Sequence, residues 1–449
     1  MKKTNPEKLH IISLGCSKNL IDSEVMGGLL SKSGLQLVER SDEADIVIVN
    51  TCAFINPAKE EALEEILTLV EVKKKADRKI QIVVAGCLAQ RYGKELFDQI
   101  PEVDLFIGTG EVGNIVAHLN QYKSRRAAVI TKPDFLMTSR HERVLSSTAV
   151  STFLKISDGC SNRCSYCAIP SIRGRARSRK PDDILKEAAN LAARGIREII
   201  IIGQDTTAYG RDLKSHPRLS DLLSGMAKIK SIKWIRLLYA HPAHITEEML
   251  STMAANKKIC RYIDLPIQHI DDDILMAMGR KVTATQIKVI IDLARKIMPD
   301  IALRTSLIVG FPGETQKRFE RLLNFVREIK FDHLGVFTYS REEGTKAAEF
   351  KSQISAAEKE RRRETIMDEQ ADISNAINKS LIGTIAEVLI EEKSDRAGFA
   401  FIGRCRRQTP EIDGITYIKS GHNKIGKIVK CKITNADDYD LFTEIIDSP

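Results

Sequence analysis

The sequence predicts an α/β protein in three parts: an amino-terminal parallel α/β sheet domain, a central partial (β/α) barrel and a small carboxyl-terminal antiparallel β-barrel. Three observations predict it. The first third repeats one pattern, in which a buried-strand run ends in a loop cysteine and a helical stretch follows. The middle alternates strand and helix signals, and the residues after about 378 form short β-rich runs separated by glycine and charged turns. A length of 449 residues accommodates about three domains, each with its own core.

In the first part, His10 to Leu14 leads to Cys16, Ala44 to Val49 leads to Cys52, and Gln81 to Ala85 leads to Cys87. The cysteines recur roughly every 35 residues, the length of one strand-helix-strand step, so the three strands should be parallel with their cysteine loops along one edge. Open α/β sheets bind ligands outside the carboxyl ends of their strands, and convergence of Cys16, Cys52 and Cys87 on one site follows. A cysteine after a single strand is usually a packed small residue; three in equivalent places point to ligation. Cys260, Cys405 and Cys431 have no such company and read as structural. His241 and His244, separated by Pro242 and Ala243, read as strand-end residues rather than a metal site. A polar connector containing Pro133 is expected from about residue 122 to 150.

Candidate barrel strands are Thr152 to Ile156, Glu198 to Ile202, Trp234 to Tyr239, Tyr262 to Leu265, Ala302 to Val309 and Leu334 to Thr338. Helical stretches between them, such as Asp182 to Ala193, favour a parallel sheet curled into a full or partial barrel. Cys160, Cys164 and Cys167 follow the first of these strands in a CxxxCxxC triad, which places them on the carboxyl-end face where such barrels keep their active sites. Three thiolates on one short loop can hold three irons of a cubane cluster and leave the fourth open for chemistry. A zinc knuckle usually pairs two CxxC units, and no second pair exists. Ser355-Ala356-Ala357-Glu358 is a capping box that starts a helix leaving the barrel, on which Arg361, Arg362 and Arg363 face either solvent or RNA.

Hydrophobic content of 43% with 29% charged residues is that of a soluble globular protein, and no stretch resembles a signal peptide or membrane span. A cytoplasmic location is expected. Nine cysteines without a secretory segment argue for metal ligation in a reducing compartment rather than a disulfide framework. The formal charge of +9 suits a polyanionic partner such as RNA or a ribosome, though weakly on a chain of this length.

The triad, the three sheet cysteines and the terminal barrel together resemble the radical S-adenosylmethionine (SAM) methylthiotransferases over essentially the whole chain. The resemblance implies an amino-terminal methylthiotransferase domain over residues 8–122, a radical SAM core over 140–377 and a TRAM domain over 378–446. It further implies two 4Fe-4S clusters with SAM as cosubstrate. Cys160, Cys164 and Cys167 fall on the ligands of the radical SAM cluster, whose open iron chelates SAM. Cys16, Cys52 and Cys87 match the ligands of an auxiliary cluster that carries sulfur. Tyr166 occupies the aromatic position before the last triad cysteine. Gln204 and Asp205, after the second barrel strand, are candidates for the methionine amino group, and Arg304 for the methionine carboxylate. In this family, sulfur is joined to a carbon activated by a radical, and a second SAM gives the methyl group.

Ser13-Leu14-Gly15-Cys16-Ser17-Lys18-Asn19 is similar to the branch that modifies a ribosomal protein, although Ser17 departs from the proline common there. Asp437-Asp438-Tyr439-Asp440-Leu441-Phe442 is similar to the same branch. The residues from 378 onward carry equal numbers of basic and acidic side chains, which suits a domain gripping a basic protein better than one clamping RNA. Within them Arg404, Arg406 and Arg407 form one basic cluster; Arg173, Arg175, Arg177 and Arg179 form a stripe that either approaches RNA or pairs with acids at the barrel rim. The expected substrate is the β-carbon of an aspartate in small-subunit ribosomal protein S-twelve, free or on the ribosome, with an electron donor and a sulfur donor of unknown identity and no membrane partner. The alternatives are a modified adenosine beside a tRNA anticodon and, from another class, a non-catalytic iron-sulfur protein that docks on ribosomes.

Overall fold

The computed structural model of the chain describes residues 6–145, 150–419 and 424–446. Six parallel strands form the first sheet, in the order Gln36–Leu37, Lys8–Ser13, Ile46–Thr51, Gln81–Gly86, Leu105–Ile107, Ala127–Val129. The three cysteine-bearing strands are its adjacent centre, paired in parallel as their spacing requires. Strands Ile46–Thr51 and Gln81–Gly86 are buried on both faces, which is why they read as unbroken apolar runs rather than alternating ones. The connector expected from about 122 instead begins by contributing the sheet's last strand, Ala127–Val129, paired with Leu105–Ile107. Its residues 146–149 lie outside the described residues.

The second sheet has six parallel strands in sequence order: Ser151–Lys155, Glu198–Ile202, Trp234–Leu237, Ile259–Asp264, Ala302–Val309 and His333–Thr338. Its first and last strands are not joined, so the barrel is partial. Leu154, Ile199, Ile201, Leu303 and Leu307 pack outward among the helices. Phe153, Ile200, Ile202, Trp234 and Tyr262 belong instead to a core shared with the first sheet's helix Ser17–Lys32. That helix is buried on nearly every side, wedged between sheet domain and barrel. Arg143 of the connector fastens it there, reaching Glu24 at 2.7 Å and Glu187 of the barrel helix Pro181–Ala193 at 2.7 Å.

Ser355 caps the helix Ala356–Ser380, accepting the Glu358 amide, but the Glu358 carboxylate turns to Arg361 and Arg362, so only half of the expected box forms. The helix lies along the barrel edge, where Gln370 donates to the Phe331 carbonyl, rather than departing from it. Arg362 is buried against Glu314, and Arg361 and Arg363 pair with acids on their own helix.

The last domain is a closed five-stranded barrel, Ile385–Lys393, Phe401–Cys405, Thr416–Ile418, Leu441–Ile445, Ile428–Ala436. One pairing, Thr416–Ile418 with Leu441–Ile445, is parallel, which departs from the all-antiparallel expectation. This barrel covers the amino ends of the central strands. Arg404 reaches Glu198 and Glu391 at 2.5 Å each and Ser151 at 3.0 Å; Glu198 and Ser151 are the first residues of their strands. Arg236 joins Glu198 at 2.9 Å and donates to the Arg406 carbonyl. Arg406 pairs with Glu387 over the Trp234 ring, and Arg407 pairs with Asp332. The basic cluster of Arg404, Arg406 and Arg407 is therefore engaged in a clamp between two domains.

Burial alone would raise the Glu198 carboxyl, but Arg404 and Arg236 hold it at about 2, below the ordinary 4.5. A depressed carboxyl contributes stability that is complete above its unfolded value and lost as pH falls through the folded one. The clamp should thus weaken between pH 4.5 and about 2. Arg404→Ala leaves the buried Glu198 and the half-buried Glu391 each short of a partner and should destabilise the protein by about 3–5 kcal/mol, read by thermal unfolding at pH 7. An unchanged melting temperature would show that the clamp does not hold the domains.

Candidate active site

Each three-cysteine set is shaped by a backbone position that only glycine suits. Gly159, at φ +77°, precedes Cys160, and a Cβ there would sit 2.2–2.8 Å from the carbonyls of Arg175, Gly174 and Arg173. The triad loop is then pinned by the Cys160 amide to the Gly174 carbonyl, by the Ser165 amide to Met278, and by the Asn162 amide side chain to Asp205 at 2.8 Å. Gly15, at φ +85°, precedes Cys16, and its added Cβ would lie 2.5 Å from the Cys52 Cβ and 3.0 Å from the Cys52 Sγ. Two of the sheet cysteines are therefore immediate neighbours.

Asn19 gathers the third. Its side-chain amide donates to the carbonyls of Leu14 and Thr51, while its Oδ1 lies 3.5 Å from the Cys87 Sγ, so one residue ties all three cysteine loops. Cys16 is exposed at the mouth of the set; Cys52 and Cys87 are buried. Desolvation pushes each of these thiols upward. At Cys16, Lys18, Arg173 and two backbone amides outweigh it and leave the thiol below its ordinary value. Cys52 stays raised, and Cys87 is pushed up to about 12. In the triad, burial likewise raises Cys160 to about 11 and Cys167 to about 12.

The two sets are joined by charge. Arg173, six residues past Cys167, ends the short helix Ile169–Arg173 and is buried. Its guanidinium contacts Asp22 at 2.8 Å, Asp158 at 3.2 Å, Asn19 at 2.5 Å and the Cys87 Sγ at 3.7 Å. Lys155 contacts the same carboxylates, at 2.6 and 2.8 Å. Asp22 lies on the helix that follows Cys16, Asp158 immediately before Gly159. Arg179 is also buried, paired with Asp183 and Glu187, so at these two positions the stripe pairs with acids.

The remaining expected site residues divide. Tyr166 is buried among Phe311, Met278 and Tyr339, with Cys164 and Cys167 against the same cluster. Gln204 donates to Asp158 at 3.0 Å while its Oε1, buried, has no partner. Asp205 is fully engaged by Asn162, Thr207, the Ala208 amide and His244, and these partners outweigh burial to hold it at about 2. His241 and His244, expected as plain strand-end residues, complete an Asp205–His241–His244 group beside the triad loop. Arg304 is not brought to the triad. It pairs with Asp264 at 2.8 Å and with Asp413 of the terminal barrel at 3.4 Å. Ile308, four residues further along the same strand face, is the one that packs beside Cys164 and Cys167, about 13 Å onward.

Asn19, Arg173, Lys155, Asp22 and Asp158 are the site residues that sequence reasoning missed. A cation six positions after a cysteine triad and an acid just before it are visible signals, but nothing local says that they meet.

Six free thiols in two groups of three suit two clusters with an open iron apiece. The orphaned Gln204 Oε1 is an acceptor facing this loop, suited to the ammonium of a methionine moiety. The architecture is that of known families. Residues 8–108 match the model of the Uncharacterized protein family UPF0004, 154–326 the Radical SAM superfamily and 382–446 the TRAM domain. Among solved structures, the radical SAM methyltransferase TsrM from Kitasatospora setae superposes with a TM-score of 0.54 at 15% identity, covering 85% of this chain and 80% of that one. The cobalamin-dependent SAM radical enzyme OxsB reaches 0.54 at 14%, covering 81% and 56%. These likenesses define the fold: a radical SAM enzyme with an added cysteine-bearing sheet domain and a TRAM barrel.

Curated relatives narrow it. Ribosomal protein uS12 methylthiotransferase RimO of Syntrophus aciditrophicus is 53% identical over 98% of this chain and 99% of its own. The RimO proteins of Geobacter sulfurreducens and Citrifermentans bemidjiense are 48% and 44% identical, each covering at least 98% of both chains. The chain belongs to the RimO family of radical SAM methylthiotransferases.

The thiol environments carry a direct expectation for the metal-free chain. A lowered pKa means more thiolate at pH 8, so Cys16 should react fastest with iodoacetamide, while Cys87 and Cys167, near 12, stay protonated and slow. Mass-spectrometric footprinting of each cysteine against time checks the order. Equal rates at Cys16 and Cys87 would contradict it.

Proposed function

We propose that the protein replaces a β-carbon C–H of an aspartate in ribosomal protein uS12 with C–SCH₃. The observation that carries the reading is the pair of convergent three-cysteine sets locked to one another through Arg173, Asp22 and Asp158. When bound, a 4Fe-4S cluster at Cys160, Cys164 and Cys167 with SAM supplies radical chemistry able to break an unactivated C–H bond, and a second cluster at Cys16, Cys52 and Cys87 supplies sulfur. One cluster alone would serve radical generation; two in fixed relation serve sulfur insertion.

The chain's own residues then have defined tasks. Gln204 Oε1 accepts from the ammonium of SAM, and its amide is oriented by Asp158. Tyr166 packs against the triad and excludes water from it. Asp205, held by His244, positions Asn162 and so the triad loop rather than binding SAM itself. Arg304, locked to Asp264 and Asp413, couples the barrel interior to the terminal barrel and leaves the methionine carboxylate to another group. The TRAM barrel seals the amino ends of the central strands, so substrate must enter at the carboxyl ends, between the two cysteine sets.

The supported partner is uS12 rather than RNA, because Arg404, Arg406 and Arg407 are consumed by the clamp. A reductant and a sulfur donor are required from the cell. The location is cytoplasmic, consistent with a ribosomal substrate; among the described residues no helix is long and apolar enough to cross a membrane.

Cys160→Ala should abolish SAM cleavage to 5′-deoxyadenosine, whereas Cys87→Ala should retain cleavage and lose methylthio transfer. Chromatography of the reduced enzyme with SAM and uS12 reads both. In a deletion strain, mass spectrometry of uS12 should show loss of the methylthio mass. Its persistence, with disappearance of a methylthioadenosine from tRNA, would assign the enzyme to RNA instead.

A further inference from the structure

The cations at the junction of sheet domain and barrel are mostly neutralised. Lys155 and Arg173 share Asp22 and Asp158, Arg143 has Glu24 and Glu187, and Arg304 has Asp264 and Asp413. Arg280 lacks a carboxylate but donates to the Pro266 carbonyl beside the triad. Lys18 is different. It is 7% exposed, and among the described residues its ammonium has neither a carboxylate nor a carbonyl partner. It rests on the face of Tyr239, 2.8 Å from the ring centroid.

Two further features at this spot are unfavourable on their own. Lys18 is the second residue of the helix Ser17–Lys32, whose first turn holds no acid, so the charge sits at the positive end of the helix dipole. Tyr239 adopts φ +58°, a conformation that costs a side-chain-bearing residue about 1 kcal/mol or more. The strain is held in place. The Tyr239 amide donates to Asp264, its carbonyl accepts the Thr206 amide, and its hydroxyl lies 3.4 Å from the Ser17 Oγ. A largely buried lysine with no carboxylate partner among the described residues, an opposing dipole and a strained aromatic base beneath it meet two residues from Cys16. The first amides of the helix, those of Lys18 and Asn19, point at the Cys16 thiol. The Cys16 thiolate answers part of this positive charge, and a second anion arriving beside it would engage the ammonium donors that remain free.

We infer that Lys18 binds the side-chain carboxylate of the substrate aspartate and is the residue that selects aspartate. This rests on the reading under Proposed function. The reacting β-carbon is bonded directly to that carboxylate carbon, so fixing the carboxylate beside Cys16 fixes the β-carbon between the two cysteine sets. Tyr239 is a positioning residue that keeps the ammonium over its ring. Asparagine, isosteric but neutral, could accept a hydrogen bond from Lys18 without neutralising it, and so would bind more weakly than the carboxylate.

The test compares wild type, Lys18→Met and Lys18→Arg, each reconstituted with iron and sulfide, against a synthetic uS12 peptide bearing the target aspartate and its asparagine twin. Iron and sulfide content and electron paramagnetic resonance spectra are read first. Binding follows by fluorescence anisotropy, and KM and kcat from methylthio-peptide formation. The expected result is a full iron complement in all three proteins. Lys18→Met should weaken aspartyl-peptide binding about 10- to 100-fold, with the loss in KM, and reduce the aspartate-over-asparagine preference to near unity. Lys18→Arg should restore most of that preference. An unchanged preference in iron-replete Lys18→Met overturns the inference. So does loss of about half the iron in that variant, since Lys18 would then serve the Cys16 thiolate. If wild type neither binds nor modifies the aspartyl peptide or intact uS12, the underlying assignment fails first, and the inference falls with it.

Discussion

Lys155, Arg173, Asp22 and Asp158 form a closed group of two cations and two carboxylates, all buried, where the sheet domain meets the barrel. Ion pairs of this kind contribute little net stability, because desolvating four charges offsets most of their attraction. Their value lies in the cost of any other arrangement. Shifting the helix Ser17–Lys32 relative to the barrel would strand a bare charge in the interior, so the domains have one register. Since Asp22 follows Cys16 and Asp158 precedes Cys160, that register fixes one cysteine set against the other. Arg173 is also hydrogen-bonded to Asn19, which gathers the three sheet loops, so loop shape and domain placement are one constraint.

The same logic recurs at the opposite end of the barrel with another outcome. Glu198, shared by Arg404 and Arg236, anchors the TRAM barrel across the amino ends of the strands. Tyr262 adds a hydrogen bond to Asp413 at 2.7 Å, and His333 meets the Arg407 carbonyl. One end of the barrel is closed by its own chain and the other carries the chemistry. A protein substrate must therefore present its reactive residue from the carboxyl-end side, in an extended segment or loop that reaches the gap between the sets.

Much of this was legible in the sequence because it follows from period and spacing. Apolar runs placed all six barrel strands within a few residues of where they lie, and the interval between Cys16, Cys52 and Cys87 gave the parallel sheet and its common edge. What escaped was pairing at long range. Arg173 and Arg179 carried equal prospects of facing RNA or acids, and only the fold shows Asp22, 151 positions away, beside Arg173. A short strand was also lost: Ala127–Val129, three residues long, lacks the length for a pattern of its own and exists because a neighbour offers an edge. Arg304 was misplaced for a geometric reason, since a strand of eight residues spans both ends of a barrel and its third residue belongs to the amino half.

Charge was the least readable property, and its misreading is instructive about partners. A formal surplus of +9 and several arginine clusters suggest a polyanion, yet Arg404, Arg406, Arg407, Arg362, Arg173 and Arg179 all end on carboxylates within the chain. Arginine is used here for its planar, multidentate fit to buried acids, which joins domains without titrating near neutrality. A count of basic residues therefore overstates basic surface. Lys18 is the contrast: a lysine, buried, with no carboxylate partner among the described residues, resting on Tyr239 beside Cys16. Lys155 and Arg173 are neutralised by Asp22 and Asp158, whereas among the described residues Lys18 has only the Cys16 thiolate beside it.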